Sequence, residues 1–161
     1  MNNNENQVLE SIWADGIPAN IKKEDVMAPL DILKLCIRFT VEQILLPKEY
    51  KIVGVIEDLN NFPQVTAEKD GKKYGIVVLP EIYPHFGAVP ADFRIKFADA
   101  CKERNIVPVL CPVLIHSQDR ARAEKSILLK GDVYRLGNLG QLILTNDEEQ
   151  EIKPDSLTFK L

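Results

Sequence analysis

The spacing of apolar residues changes at Pro47, and that change sets the class of fold open to this chain. Upstream of it, Val26, Leu30, Leu33, Ile37, Val41, Ile44 and Leu45 recur at three- and four-residue steps, the spacing that lines one face of a helix. The stretch 22–47 is therefore expected to be one long helix, with Pro29 in its first turn and Pro47 at its end. Downstream, 50–59 is rich in β-branched residues, 63–69 alternates weakly and 72–83 is nearly all apolar in its middle, with breaks at Asn60-Asn61 and Asp70-Gly71, which predicts three consecutive strands.

Asp70-Gly71-Lys72 has the acid-x-lysine spacing of many metal-dependent nucleases. A tight turn explains it more simply. Asp-Gly between two extended runs is a strong hairpin signal, because both central residues of such a turn take positive φ. Metal-binding acids need support from a rigid strand end, which a hairpin tip does not offer.

The remaining chain alternates in type. Residues 89–105, with Phe93, Phe97, Ala100 and Cys101 on one side, predict an amphipathic helix that starts near Pro90. Residues 106–116 predict a strand, and Pro108 and Pro112 within it suggest an edge or bulged position. A short helix capped by Ser117 and stopped by Gly131 is expected next, followed by two short strands around Gly137-Asn138 between 132 and 145. The acidic stretch 146–151 is expected to be a solvated connector, with a final strand over 155–161. At the start of the chain, residues 7–18 predict a short helix with Trp13 on its apolar side, closed by Gly16 and Pro18, behind a frayed asparagine-rich end.

This order gives an α/β fold, a mixed sheet flanked by helices. At 161 residues, 45% of them hydrophobic, the chain is long enough for one self-sufficient core. It divides into a partly flexible extension (1–23), an α/β core (24–116) and a C-terminal helix with short strands (117–161). Cys36, Cys101 and Cys111 lack any C-x-x-C spacing and lie in apolar stretches, as reduced core thiols of a cytoplasmic protein do. The chain start resembles no secretory signal. The longest apolar run, 106–115, is too short to span a bilayer and carries two prolines. A formal charge of −4 supplies no general attraction for phosphates, so nucleic acid is not the favoured partner.

The order helix, three strands, helix, strand, from about residue 24 to residue 116, resembles the core of the restriction-endonuclease-like family. Members that cleave DNA carry the pattern PD-(D/E)XK, with one acid on the second core strand and acid-x-lysine on the third. The acids hold Mg²⁺ and the lysine helps to position or activate water. Here the third strand reads Tyr74-Gly75-Ile76-Val77-Val78-Leu79, with neither acid nor lysine, and the second offers only Glu68 near its end. The resemblance therefore implies a non-cleaving relative that acts in binding or assembly, with no catalytic residue, metal or cofactor. The alternative is a metal-dependent phosphodiesterase with a rearranged site of Glu57, Asp58 and Glu68 beside Lys69.

Two stretches suit contact with a partner, whether an unidentified protein or a second copy. The segment 79–93 places Tyr83, His85 and Phe86 among three prolines, a low-entropy aromatic surface. The segment 119–125 gathers Arg120, Arg122 and Lys125, a group suited to an anionic partner. Two other arrangements lead to no chemistry. His116 and Ser117 are neighbours on an extended chain and point to opposite faces, and His85 and His116 have no nearby Cys or His with which to hold zinc. Gly137 and Gly140 are turn glycines, not a phosphate loop.

Overall fold

The computed structural model of the protein describes residues 22–82, 89–124, 128–138, 140–144 and 150–152. Helix α1 (Pro29–Phe39) begins at its proline, and Ala28 before it is extended, at φ −72° and ψ 155°. Both facts have one cause: proline has no N–H to donate and its ring disfavours helical geometry in the residue ahead of it. Residues 24–28, expected to be helical, instead form the end of a 3₁₀ turn (Lys23–Asp25) and a short extended piece. Met27 N–H donates to the Leu128 carbonyl (2.9 Å) and Lys130 N–H to that of Asp25 (2.7 Å), tying this piece to a segment a hundred residues away.

The helix continues to Lys48 but changes pitch twice. It widens to a π turn over Thr40–Leu45 and tightens to 3₁₀ over Leu46–Lys48. At the first change the buried Thr40 hydroxyl donates to the Cys36 carbonyl (2.9 Å), a bond that competes with the regular helical ladder. Glu49, at φ 65°, ends the helix in the left-handed region.

Strands β1 (Lys51–Val55), β2 (Val65–Lys69) and β3 (Lys72–Ile82) form an antiparallel meander. The hairpin expected at Asp70-Gly71 is present: Lys69 pairs with Lys72, and the two turn residues have φ of 52° and 77°. β1 is shorter than the extended run that predicted it. The chain leaves the ladder after Ile56, and Asp58 folds the next residues into a local turn by accepting Asn60 N–H (2.8 Å) and Asn61 Nδ2–H (2.6 Å). A bulge at Val53 shifts the register between Ile52, opposite Ala67, and Gly54, opposite Thr66.

Helix α2 (Ala91–Glu103) precedes β4 (Ile106–Ser117), which lies parallel to β3 over ten residue pairs. Phe97, Ala98 and Cys101 are its buried residues; Ala100, expected on that side, is exposed. Gly75 lets β3 approach its surroundings closely, since a Cβ there would lie 3.2 Å from both Ile106 Cγ2 and Pro63 Cγ.

β4 is not an edge strand, despite its prolines. On its far side it pairs antiparallel with β5 (Tyr134–Gly137) through residues 114–117 and with β6 (Leu142–Leu144) through 109–110. Gln118 N–H reaches the Val133 carbonyl (3.0 Å), so even-numbered residues of β4 turn their backbone groups toward this side. Pro108 and Pro112 belong to that set, and both fall outside the two paired stretches. Strand order across the sheet is β1-β2-β3-β4-β6, with β7 (Gln150–Ile152) beyond β6 and β5 also on β4. Gln150 and Glu151, expected in a solvated connector, thus belong to a strand.

Between β5 and β6 the chain crosses the gap through Asn138, which is 1% exposed. Its side-chain Nδ2–H₂ donates to the Pro112 carbonyl and its Oδ1 accepts Gly140 N–H (3.0 Å). The side chain does here what a ladder bond would do elsewhere.

The two faces of the sheet have separate cores. Val65, Ala67, Ile76, Val78, Val109, Cys111, Val113 and Ile115 pack against Ile32, Leu33, Cys36 and Ile37 of α1 and against Ile44 and Leu45. Val77, Leu110 and Leu144 face Phe97, Ala98 and Cys101 of α2. The alternation of neighbouring strand residues between the two sets follows from the period of two in a strand.

At the end of β4, the short helix α3 (Arg120–Glu124) is capped by Asp119, whose Oδ1 accepts Arg122 N–H (3.0 Å). Ser117 is not the cap: its hydroxyl accepts Asp119 N–H (3.1 Å) and donates to Asp132 (3.0 Å). Asp132 also accepts Arg122 Nε–H (3.0 Å) and Val133 N–H (2.8 Å). Desolvation raises the pKa of this carboxyl, but those hydrogen bonds and the Arg122 charge outweigh it and leave the value lowered. A lowered folded value means that the contribution to stability is complete above the ordinary carboxylate range and is lost as pH falls through the depressed value. Asp132→Asn should therefore melt below the parent at neutral pH, with the two melting curves converging in strong acid. Equal separation at both pH values would show that the charge has no part.

Candidate functional site

Among the described residues, those singled out from sequence do not assemble into one site. Glu57 lies 3.8 Å from Lys34, and both side chains are about half exposed. Asp58 is occupied by its own turn. Glu68 stands opposite Lys51 in the β1–β2 register and pairs with Lys73 across the hairpin at 3.7 Å. Glu57 and Asp58 follow the other end of β1, and five or six strand residues separate the two ends by roughly 15 Å. Among the described residues, no group of three His, Cys, Asp or Glu is placed to hold a metal ion.

Where β2 and β3 meet inside the sheet, Val65, Ala67, Ile76, Val77 and Val78 are buried. Gln64, which enters β2, is buried as well, and its side-chain carbonyl accepts Val78 N–H (3.0 Å). Sequence reasoning overlooked this amide, because nothing local distinguishes it from a surface glutamine.

Of the expected anion-binding group, Arg122 is committed to Asp132, at 2.8 Å, and to Asp119, at 3.6 Å. Arg120 extends into solvent and meets Glu124 one turn away at 3.2 Å. Lys125 lies outside the described residues, as do Tyr83, His85 and Phe86, the N-terminal helix with Trp13, and the final strand over 155–161. His116 Nδ1 is 2.9 Å from the Ser117 carbonyl.

Two surface features stand out instead. The first is apolar. Val53, Val55, Ile56, Leu59 and Phe62 are each 40–49% exposed, and they account for five of the eight large hydrophobic residues found exposed in the described chain. They follow one another along β1, the edge of the sheet, and the loop that leaves it. Phe62 leans edge-on against Phe93 of α2, with ring centroids 4.8 Å apart.

The second is basic. At the hairpin end of the sheet, a depression of about 760 Å³ is lined by Lys51, Lys69, Lys72, Lys73 and Arg104. Three acids, Glu49, Glu68 and Asp70, share its rim. Its walls come from the start of β1, the β2–β3 hairpin and the α2–β4 turn, three chain reversals brought to one end of the sheet. Glu49, Asp70 and Asn105, the three non-glycine residues with positive φ among the described residues, all lie on it. Lys69 Nζ sits 5.0 Å from the centroid of the Tyr50 ring.

The thiols take no part in either feature. Cys36, Cys101 and Cys111 are buried and unpaired. Burial raises the Cys111 thiol to about 12, against smaller opposing effects of Thr40 and Lys48, and the Cys101 thiol to about 11, against Arg104. Cys36 is raised further, by burial and then by the neighbouring Cys111. Thiols held this far from ionisation are poor nucleophiles at neutral pH. Among the described residues, no helix is long and apolar enough to cross a membrane. Comparison of the chain with family models, with curated proteins and with solved structures finds no match.

Proposed function

We propose that this chain is a cytoplasmic assembly domain, a non-cleaving relative of the restriction-endonuclease-like family that associates with a second copy of itself through the β1 edge. The observation that carries this reading is the run of exposed apolar side chains from Val53 to Phe62 on an edge strand. Large apolar side chains gathered in exposed positions along one sheet edge are unfavourable in water and mark contact sites.

A second copy suits the edge because its sequence is nearly a palindrome of complementary ends, Lys51-Ile-Val-Gly-Val-Ile-Glu57. Antiparallel about Gly54, two copies set Val53 against Val55, Ile52 against Ile56 and Lys51 against Glu57. The bulge at Val53 interrupts the free backbone ladder, so side chains supply the contact, and open-ended strand addition is discouraged. The family relation is supported by element order, with β1, β2 and β3 antiparallel and β4 parallel to β3 after α2. The buried amide of Gln64 and the apolar interior of β3 support the absence of cleavage. Three buried, unpaired thiols agree with a reducing compartment.

Sedimentation of the full chain tests the reading. A concentration-dependent dimer is expected, converted to monomer by Ile56→Lys with the thermal transition retained. Lys51→Glu should weaken the dimer, and adding Glu57→Lys should restore it. A monomer at every concentration, or a charge swap that restores nothing, overturns the proposal.

A further inference from the structure

We propose that the basic depression at the hairpin end of the sheet is a binding site for a compact polyphosphate group. Lys51, at the start of β1, is shared with the β1 contact, whereas Lys69, Lys72, Lys73 and Arg104 lie outside it. Five cations against three acids give this depression a surplus of positive charge, in a chain whose formal charge is −4. The clustering therefore runs against the sign of the rest of the molecule.

The acids leave much of that charge uncompensated. Glu68 is matched to Lys73, whereas Lys51, Lys72 and Arg104 form no ion pair among the described residues. Lys69 and Lys72 stand directly opposite one another across the hairpin. Like charges in that position are destabilising, and an anion between them would remove the repulsion. Among the described residues, the three non-glycine residues with positive φ also rim the depression, each at a chain reversal.

Shape and charge select the ligand. A volume of about 760 Å³ suits a small ligand. A long nucleic acid would meet the net negative remainder of the surface as well as the depression, while a short chain of phosphates meets the depression alone. Lysines act as mobile point charges that can follow a flexible phosphate chain, and Arg104 adds a planar donor.

Isothermal titration calorimetry of the full chain with sodium tripolyphosphate tests the site, in parallel with a nucleoside triphosphate and a single-stranded oligonucleotide. Saturable binding of tripolyphosphate is expected, weakening as salt rises. Lys72→Glu with Arg104→Glu should reduce affinity by about tenfold or more, and Arg120→Glu, away from the depression, should not. Both substituted sites are exposed, so the thermal transition should persist; Lys72→Gln is the milder variant if it does not. Equal affinity for the nucleotide assigns recognition to the phosphates alone, and tighter nucleotide binding assigns it to a nucleotide tail; either supports the site. Absence of saturable binding, equal weakening by Arg120→Glu, or tighter binding of the oligonucleotide than of tripolyphosphate overturns it.

Discussion

Asn138→Ala is expected to lower the free energy of unfolding by roughly 2–4 kcal/mol, because it leaves the buried Gly140 N–H and the half-buried Pro112 carbonyl without partners. Asn138 is 1% exposed, donates to the Pro112 carbonyl and accepts Gly140 N–H. Neither group has another ladder partner at this point. Pro112 lies between the part of β4 that pairs with β6 and the part that pairs with β5. Alanine also opens a small void beside Cys111, whose Sγ lies 3.6 Å from Nδ2. Urea unfolding measures the effect, which should shift the midpoint and leave the slope unchanged. A loss within about 0.5 kcal/mol, the range of an ordinary surface substitution, would mean that the strand switch is held by something other than this side chain.

Leu33→Ala is expected to cost about 2–5 kcal/mol, the usual range for truncating a buried leucine, through lost transfer energy and an unfilled cavity. Leu33 is 1% exposed, on the side of α1 that packs against β3 and β4. Since small domains are stable by only about 5–15 kcal/mol, a loss of that size should be plain in a thermal scan. Leu46→Ala provides the contrast. Leu46 lies in the same helical stretch but is 51% exposed, so its truncation should change stability by less than about 0.5 kcal/mol. Equal effects at the two positions would mean that the wrong face of the helix has been placed on the sheet.

Much of the fold was legible in the chain because much of it rests on local preferences. The switch of apolar period at Pro47 marked where helix gives way to strands, and Asp70-Gly71 marked the β2–β3 hairpin through the positive φ that its turn demands. Pro29 at the start of α1 was legible for the same reason, although residues 24–28 were not. Their conformation is set by Leu128 and Lys130, which no local pattern could reveal.

The surface features were less legible, again for a physical reason. Lys69, Lys72 and Lys73 are neighbours in sequence. Lys51 and Arg104 join them only because three chain reversals end at the same side of the sheet. Val53, Val55 and Ile56 looked like any strand interior, and only the strand order shows that they lie on an edge. Arg120 and Arg122 looked free to meet an anion, yet Arg122 is held by Asp132, ten residues further on.

β4 shows the division most clearly. Its β-branched, apolar composition by itself determined that residues 106–116 would be a strand, and its two prolines correctly signalled backbone positions that cannot donate to a neighbour. Whether those positions face solvent at an edge or a gap between two partners is a matter of what packs alongside. The tertiary structure decided for the gap and placed Asn138 in it. Conformational preference belongs to a residue and its immediate neighbours, whereas burial, pairing and the convergence of charge belong to contacts between residues far apart in the chain.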